Sequence, residues 1–472
     1  MYSDVSVNLP TTLPLVHQAD VMVLGGGPGG IGAAVAAARQ GADVLLVEHY
    51  GFLGGMATAG EVNPFMPNHH NKESLDIGIF SDWLDRIKTY NPEGQDRVFD
   101  PNCARLAAED LCVESGVRIL YHHRVTHVER DGSRISHIVL HSKSGLTAAK
   151  AEVYIDSTGD GDLASLAGAE FEFGGENTPY VQPMTLCFKL KMHIDKLDRD
   201  ALGLESLSAI DAVRKEPLIQ EVFRKAKEAG RTSNPRENVL IFPSVDPDVI
   251  HFNTTRVIHK SSINGQELSC AEVEARKQLR ELVEILRADV PLFKYATIHS
   301  IAPQIGIRES RRIKGHNYLT RHDYEVGKTF PDGIARVTYP IDIHNPDGTG
   351  TEITHLPKGA WYEIPYGCIV PIGIDNLLIG SRCISVDHAV HSSMRVMPPV
   401  CSIGQAAGTA AAMALEADVP CREVDGTAVK ANLIKQGRNL VSYDPNRCWE
   451  MSEEEQIRMQ KKNEARAKTL TA

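Results

Sequence analysis

Three arginines in the second half of the chain have the spacing of an anion-binding cluster. Arg308, Arg311 and Arg312 fall within five residues of one another. Guanidinium groups pair bidentately with carboxylates and phosphates, so this segment could clamp an anionic substrate. The same residues could instead form a structural ion-pair hub between two domains. We expect Arg308 and Arg311 to act at the site, although the sequence does not separate them from Arg312.

Histidines form a second group of candidates. His388 and His391 precede Arg395 in a segment that we expect to border the reacting centre, where each could act as acid, base or anion ligand. Each histidine could equally be a hydrogen-bonded loop residue. The pair His69-His70, on a proline-bounded loop, is a weaker candidate for a lid, and His344 joins the site only if its strand points inward. These histidines lack the spacing of metal ligands, so no metal is expected.

The elements that must position such groups are marked by glycine, of which the chain has 38. Residues 20–24 are typical of a buried parallel strand, and Gly25, Gly27 and Gly30 directly after it fit G-x-G-x-x-G. An alanine-rich helix and a second apolar strand follow. Such glycines permit a tight turn, the approach of a pyrophosphate and close helix packing, and the helix N-terminus favours the phosphates. Glu48, at the end of the second strand, is placed to bind a ribose diol, which favours FAD or NAD over NADP.

Further glycine-rich segments predict a cofactor that extends beyond NAD. Residues 51–60 form a second glycine-rich loop, suited to backbone that approaches a ribityl chain and a flavin ring. Residues 153–162 and 376–380 are strands that end in small residues. Residues 402–408 are expected to open an alanine-rich helix whose N–H groups and positive dipole end face the flavin pyrimidine ring. No second G-x-G-x-x-G opens a helix downstream, so a separate NAD(P)H domain is not expected.

Several motifs together resemble one family. They are VMVLGGGPGGIGAAVAAARQGADVLLVE, LGGMATAG, IDSTGDGDLASLAGA, IGIRESRRIKG, IPYGCIVP, NLLIGSRCIS and SSMRVMPPVCSIGQAAGTAAA, spread over residues 18 to 415. On these motifs the chain resembles the FAD-dependent oxidoreductase family of the glutathione-reductase-like flavoprotein superfamily. The resemblance implies tightly bound FAD and a redox reaction. It leaves the substrate open, because members of the family differ.

The glycine motifs and the resemblance together predict the FAD contacts. In domains of this kind, the residue near Val125 meets adenine through its backbone in a strand meander. The expected cofactor-binding residues are Gly25, Gly27, Pro28, Gly29, Gly30, Glu48, His49, Gly54, Gly55, Met56, Ala57, Thr58, Val125, Thr158, Gly159, Asp160, Gly380, Arg382, Gly404, Gln405 and Ala406.

We expect an α/β fold with a Rossmann-like FAD-binding domain in three layers, β/β/α, and an inserted α+β substrate or cap domain. The first part of the FAD-binding domain is predicted over residues 18–170 and the cap over 171–372. The second part of the FAD-binding domain follows over 373–440. Residues 441–472 form a charged C-terminal tail, expected to be a solvated surface helix or a subunit contact.

Composition narrows the class of protein. The chain has 50 Lys and Arg against 61 Asp and Glu, a net charge of −11 that disfavours nucleic-acid binding. No apolar run reaches the roughly 18–20 residues of a membrane span, and the N-terminus lacks the features of a secretory signal. The nine cysteines are widely spaced without C-x-x-C, which predicts reduced thiols in the cytoplasm. Cys383 and Cys401 are expected to be inert, and a homo-oligomer is possible.

The expected function is transfer of a hydride equivalent between a small polar or anionic organic substrate and bound FAD. Arg308, Arg311, His388, His391 and Arg395 are the expected catalytic or substrate-binding residues. One alternative is an electron-transfer subunit working with a redox partner, although cysteines that would hold an iron–sulfur cluster are missing. Another is a flavin monooxygenase, which would have to work without an NAD(P)H domain.

Overall fold

The computed structural model describes residues 12–441 apart from residues 71, 93, 95, 96, 199, 201, 203–207 and 358. The predicted tail beyond residue 441 therefore lies outside the described residues. The strands are β1 (Leu15–Leu24), β2 (Val44–Val47), β3 (His69–His70), β4 (Glu73–Ser74), β5 (Arg118–Leu120), β6 (Arg124–Asp131), β7 (Arg134–Ser142), β8 (Gly145–Asp156), β9 (Phe171–Glu172), β10 (Phe188–Lys191), β11 (Ile241–Pro243), β12 (Val249–Phe252), β13 (Thr297–Ile301), β14 (Arg312–Ile313), β15 (Gly333–Val337), β16 (Ile341–His344), β17 (Thr351–Thr354), β18 (Tyr362–Pro365) and β19 (Leu377–Ile379).

The α-helices are α1 (Pro28–Arg39), α2 (Ile79–Tyr90), α3 (Pro101–Glu114), α4 (Asp162–Leu166), α5 (Ala209–Lys215), α6 (Leu218–Glu228), α7 (Gly265–Asp289), α8 (Arg321–Glu325), α9 (His388–Met394), α10 (Met397–Ala417) and α11 (Gly426–Lys435). The two longest α-helices, α7 and α10, lie in the second half of the chain.

The main sheet has the strand order β5-β2-β1-β8-β7-β6, and β19 pairs with the end of β8. The pairs β5–β2, β2–β1, β1–β8 and β8–β19 are parallel, whereas β6, β7 and the first half of β8 form an antiparallel meander. The inner strands β1 and β2 are fully buried over Val21–Leu24 and Val44–Val47, as their apolar sequences predict. The predicted α/β class with a parallel sheet is confirmed.

Small residues allow α1 and α10 to pack against each other and against this sheet. A methyl group added at Gly404 would lie 1.9 Å from the carbonyl oxygen of Gly29, and one at Gly408 would lie 2.1 Å from that of Ala33. No side chain fits such gaps, so the two helices touch backbone to backbone. Their contact holds the N-terminus of α1 at the carboxyl end of β1.

A second hydrophobic core is formed by buried side chains between Met184 and Ile307. It contains the antiparallel sheet β11-β12-β10-β13 and one face of each of the helices α5, α6 and α7. Residues 313–370, which the sequence assigns to the cap, contribute their apolar side chains to the first core instead. The domain boundaries stay a prediction. Within the described residues, no helix is long and apolar enough to cross a membrane.

Candidate functional site

A cavity of about 1110 Å³ joins the glycine motif after β1 to the residues of the second core. Its walls include the strand ends Leu24 and Val47 of the main sheet, and also Leu240 and Phe242 at β11. Ligands of open parallel sheets bind at the carboxyl ends of the strands, which is where this cavity begins.

Glycines shape the start of the cavity because other residues would collide there. Gly25 has a φ of +100°, and a methyl group on it would lie 2.4 Å from the carbonyl oxygen of Ser157. A methyl group on Gly30 would lie 1.8 Å from the carbonyl oxygen of Gly25. Gly27 is different: a methyl group there would come no closer than 3.7 Å to the protein, at Gly55. Gly27 lines the cavity at the N-terminus of α1, so the space beside it suits a phosphate group.

Glu48 lies at the end of β2, buried but on the cavity wall. Its Oε2 accepts a 2.6 Å hydrogen bond from the backbone N–H of Gly26, and its Oε1 accepts one of 2.9 Å from Tyr50. The His49 Nδ1 atom is 2.8 Å from the same Oε1. Glu48 therefore orders the glycine loop in addition to the predicted ribose contact, a role that the sequence did not show. The glycine gaps, the helix N-terminus and the buried acid together fit a dinucleotide cofactor.

The predicted cofactor residues divide into two sets by their position. Those on the cavity wall are Gly25, Gly27, Pro28, Gly29, Glu48, His49, Gly55, Met56, Val125, Thr158, Gly159, Asp160 and Arg382. Five others, Gly30, Gly54, Ala57, Thr58 and Gly380, shape the wall from behind. Gly30 and Gly380 lie at backbone contacts, and Gly54 precedes the 3-10 turn Gly55–Ala57, which Thr58 closes with a 2.6 Å hydrogen bond to the carbonyl oxygen of Leu53. Their contacts with FAD stay predictions.

The assignment of Gly404, Gln405 and Ala406 is corrected by the course of α10. This helix begins at Met397, with two prolines in its first turn, so residues 402–408 lie in its interior. Gly404 packs on α1, and Gln405 donates a 3.0 Å hydrogen bond to Gln436. None of the three residues lines the cavity. The part of α10 that reaches the wall is its actual start, at Met397 and Val400.

Besides the exposed Arg124, three arginines on the wall have no carboxylate partner within ion-pair distance among the described residues: Arg236, Arg308 and Arg395. Arg308 donates hydrogen bonds to the Pro183 carbonyl, to Thr185 and to Asn253, all neutral acceptors.

Burial, followed by the charges of Arg395 and Arg236, lowers the pKa of Arg308 to about 9. Burial likewise lowers the pKa of Arg236 to about 10, and its Nη1 atom has no hydrogen-bond partner. Arg236 is buried and Arg308 and Arg395 are half-buried, and three such cations side by side are costly without an anion between them.

The neighbouring arginines are structural by comparison. Arg311 lines the cavity but pairs with Asp162 at 2.9 Å and with the carbonyl of Asp160. Arg312 lies behind the wall and donates to Glu309 at 2.6 Å. Of the cluster first singled out, Arg308 is therefore the residue on the wall without a carboxylate partner among the described residues. Arg311 serves to hold the loop after β8 in place.

The expectation that His388 and His391 face the reacting centre is corrected by the orientation of α9. The His388 Nδ1 atom lies 2.7 Å from Glu309, in a buried network behind the wall. His391 is fully buried, and burial lowers its pKa well below the ordinary value, so it is neutral. Neither residue lines the cavity. Arg395, at the C-cap of α9, does line it.

The hairpin of β16 and β17 supplies functional residues that the sequence indicated only in part. His344 lines the cavity, as it would if its strand points inward, and Asp342 and Tyr339 lie on the wall beside it. Arg236 and Asp342 carried no motif. The signal available for Asp342 was its place two residues before His344, since alternate residues of a strand share a face.

Three minor candidates are also placed. His69 and His70 form β3, outside the cavity wall, and the ring of His70 packs 4.7 Å from that of Trp361. Cys383 and Cys401 are buried, and burial raises the pKa of both thiols, which fits inert side chains. Within the described ranges, no group of three or more His, Cys, Asp or Glu is arranged to hold a metal ion.

A model of the family described as FAD dependent oxidoreductase matches residues 20–433. The chain belongs to this family. It is an FAD-dependent enzyme of oxidation and reduction, and the wall described above is the part of the chain that fits the cofactor. No curated protein gives a significant sequence match.

Solved structures resemble the chain only distantly. A flavoprotein/dehydrogenase from Cytophaga hutchinsonii is 13% identical with a TM-score of 0.45, over 89% of this chain and 84% of that one. A geranylgeranyl bacteriochlorophyll reductase-like protein from Thermoplasma acidophilum is 12% identical with a TM-score of 0.44, over 89% and 84% of the two chains. L-proline dehydrogenase from P. horikoshii is 11% identical with a TM-score of 0.40, over 89% and 99%. These proteins do not inform the substrate.

Proposed function

We propose that this enzyme transfers a hydride equivalent between a small anionic organic substrate and bound FAD. FAD, when bound, supplies a ring that takes up or gives up a hydride. The substrate anion lies against the guanidinium groups of Arg236, Arg308 and Arg395, which we call the arginine wall. The arginines orient the substrate by its charge, so that one C–H bond is held in a fixed position.

The observation that carries this proposal is the lack of a carboxylate partner for each of the three arginines. Elsewhere near the cavity the protein neutralises its arginines, as in the pairs Arg382–Asp160 and Arg312–Glu309. Arginines without a partner in the protein are expected where a ligand supplies the negative charge. The two oxygens of a carboxylate can accept two parallel hydrogen bonds from one guanidinium group.

We retain as proposals the glutathione-reductase-like superfamily and the division into FAD-binding and cap domains. Support for the superfamily comes from the parallel sheet with its antiparallel meander, and support for the division from the two hydrophobic cores. A reducing compartment such as the cytoplasm is supported by the eight described cysteines, which are all free thiols. A homo-oligomer stays a proposal without further support.

The test is anaerobic mixing of the FAD-loaded enzyme with a panel of 2-hydroxy acids, amino acids and dicarboxylates, followed by the visible absorption of the flavin. Loss of the oxidised flavin band with one class of acid supports the proposal. Reduction only by a co-purifying redox protein would favour the electron-transfer alternative. Oxygen consumption coupled to hydroxylation of the substrate would favour a monooxygenase, and either result would overturn the proposal.

A further inference from the structure

We propose that Asp342 is the base that takes a proton from the substrate, and that His344, fixed by Arg256, positions the substrate beside it. This inference rests on the proposed function and names the proton acceptor of the same site. It concerns residues of the β16–β17 hairpin, opposite the glycine motif across the cavity.

The ring of His344 is held in one tautomer. An Arg256 Nη2 atom lies 3.0 Å from His344 Nδ1. Arginine can only donate, so Nδ1 must be the acceptor, and the proton of the neutral ring is on Nε2. Burial and then the charges of Arg308 and Arg395 lower the pKa of His344 well below its ordinary value, so the ring stays neutral. His344 therefore presents an N–H donor and cannot itself take the proton.

Arg256 lies behind the cavity wall and is fixed by several contacts. Its Nη1 donates at 2.8 Å to the carbonyl of Gly348 in the hairpin turn and lies 3.5 Å from a carboxylate oxygen of Glu237. Its side chain is buried. It thus connects the hairpin turn to the body of the second core and sets the orientation of the imidazole, so we assign it and His344 as positioning residues.

Asp342, unlike His344, can accept a proton, because its carboxylate forms no ion pair within hydrogen-bond distance among the described residues. Its side chain lines the cavity, with its Oδ2 atom 3.8 Å from His344 Nε2. Among the described residues, the hydroxyl of Tyr339 is the donor that reaches this carboxylate, at 3.4 Å. Burial raises the pKa of Tyr339 to about 12, so the phenol keeps its proton and donates. One carboxylate oxygen thus remains available to a ligand in the cavity.

Four arginines surround Asp342. Arg395 donates at 3.2 Å to the backbone carbonyl of Asp342, and Arg236, Arg256 and Arg308 face it from the other elements packed on the hairpin. The neutral His344 and Tyr339 complete the titratable groups that face it. The carboxylate that we propose as the base therefore lies among the cations that would hold the substrate anion.

The step balances as follows for a substrate that carries a hydroxyl or an amine beside the reacting carbon. The O–H or N–H bond breaks and its proton goes to Asp342. The freed electron pair would form the C=O or C=N bond, and FAD, when bound, would supply the acceptor for the hydride that leaves the carbon. The His344 N–H holds the substrate heteroatom, and the arginine wall holds the substrate anion.

The first test uses the FAD-loaded full chain with the acid from the panel above that reduces it. Asp342→Asn should slow flavin reduction about 100-fold or more, as expected for loss of a general base, and should abolish the fall in rate at low pH. FAD content should not change. His344→Gln keeps an N–H donor and should lose less rate than His344→Leu, with the pH profile retained in both. Asp347→Asn, at an exposed position in the same hairpin, is the matched control.

The second test needs no turnover and so separates this inference from the proposed function. Calorimetric titration with acetate or benzoate in two buffers of different ionisation enthalpy gives the protons taken up on binding. A bound anion beside Asp342 brings two negative charges together, which should draw a proton to the site, so wild type and Asp347→Asn should take up protons that Asp342→Asn does not. Equal proton uptake in all three proteins, or an unchanged pH profile in Asp342→Asn, would overturn the inference. If no acid reduces the wild type, the proposed function fails instead.

Discussion

The two halves of the cavity are built in opposite ways. The cofactor half consists of backbone and small residues from short, contiguous segments, in which Gly25, Gly27 and Gly30 create space and a helix end supplies positive charge. The substrate half consists of long charged side chains that are distant in sequence, such as Arg236 and Arg395. We therefore expect the shape of the first half to determine which cofactor binds, and the charge of the second half to determine which substrate binds. Each half should respond to a different kind of substitution.

The largest effect is expected in the cofactor half, where two glycine substitutions distinguish a packing role from a role in FAD binding. Gly30→Ala should destabilise the fold by about 3 kcal/mol or more, since its methyl group would overlap the carbonyl of Gly25. Gly27→Ala should cost less than about 1 kcal/mol, because its methyl group has room, yet should weaken FAD binding at least about tenfold. Thermal unfolding of the cofactor-free proteins and FAD titration measure the two effects. Equal behaviour of the two variants would contradict the contrast.

The next effect belongs to the substrate half. Arg308→Ala and Arg395→Ala should each lower kcat/KM about 10- to 150-fold with FAD content unchanged, because a hydrogen bond to a charged group contributes about 1.5–3 kcal/mol. Arg276→Ala, which removes an exposed arginine of α7, is the control for charge. Steady-state kinetics and the ratio of flavin to protein provide the measurement. Loss of FAD from Arg308→Ala would place that residue in the cofactor half.

A smaller effect is expected from removing the buried negative charge of Glu48 in the cofactor half. Glu48→Gln keeps an acceptor for the N–H of Gly26 but removes the negative charge, so FAD affinity should fall about tenfold. Glu114→Gln, at an exposed position in α3, should leave the affinity unchanged. Fluorescence titration of the cofactor-free proteins with FAD measures it. Unchanged affinity of Glu48→Gln would show that shape alone selects the cofactor.

The smallest effect is expected in the second core, where replacing His251 should change how the free energy of unfolding depends on pH. His251 is fully buried without a hydrogen-bond partner, and burial lowers its pKa to about 3. A folded-state pKa below the unfolded value of about 6.5 gives stability that is present above pH 6.5 and lost as pH falls toward 3. At pH 5.5 wild type should therefore lose about 1.4 kcal/mol relative to His251→Leu. Denaturant unfolding at pH 7.5 and 5.5 tests this, and parallel pH dependences would refute it.

The cofactor half could be predicted from the sequence because its physical requirements are local. The turn at Gly25, the packing at Gly30 and the position of Glu48 all follow from one strand–helix–strand unit. The α/β class and the meander near Val125 followed in the same way. The start of α10 was misplaced because its glycines drew attention to residues 402–408. The prolines at 398 and 399, typical of a first helical turn, mark the actual start.

The substrate half could be predicted only in part, because tertiary packing decides which charged side chains keep a partner. Within the cluster around Arg308, pairing with Asp162 occupies Arg311, which its sequence neighbours do not reveal. The orientation of α9 turns His388 toward Glu309 rather than toward the cavity. Asp342 joins the site through a hairpin that carries no motif. Such choices depend on contacts between residues far apart in the chain.

The most direct test of the arginine wall compares each acid that reduces the flavin with its neutral methyl ester under anaerobic conditions. We propose that the wall binds the substrate by its negative charge, so the acid should reduce the flavin and the ester should do so at least about tenfold more slowly. In the Arg308→Ala/Arg395→Ala double variant this preference for the acid should disappear. An ester that reduces the wild-type flavin as fast as its acid would contradict the account.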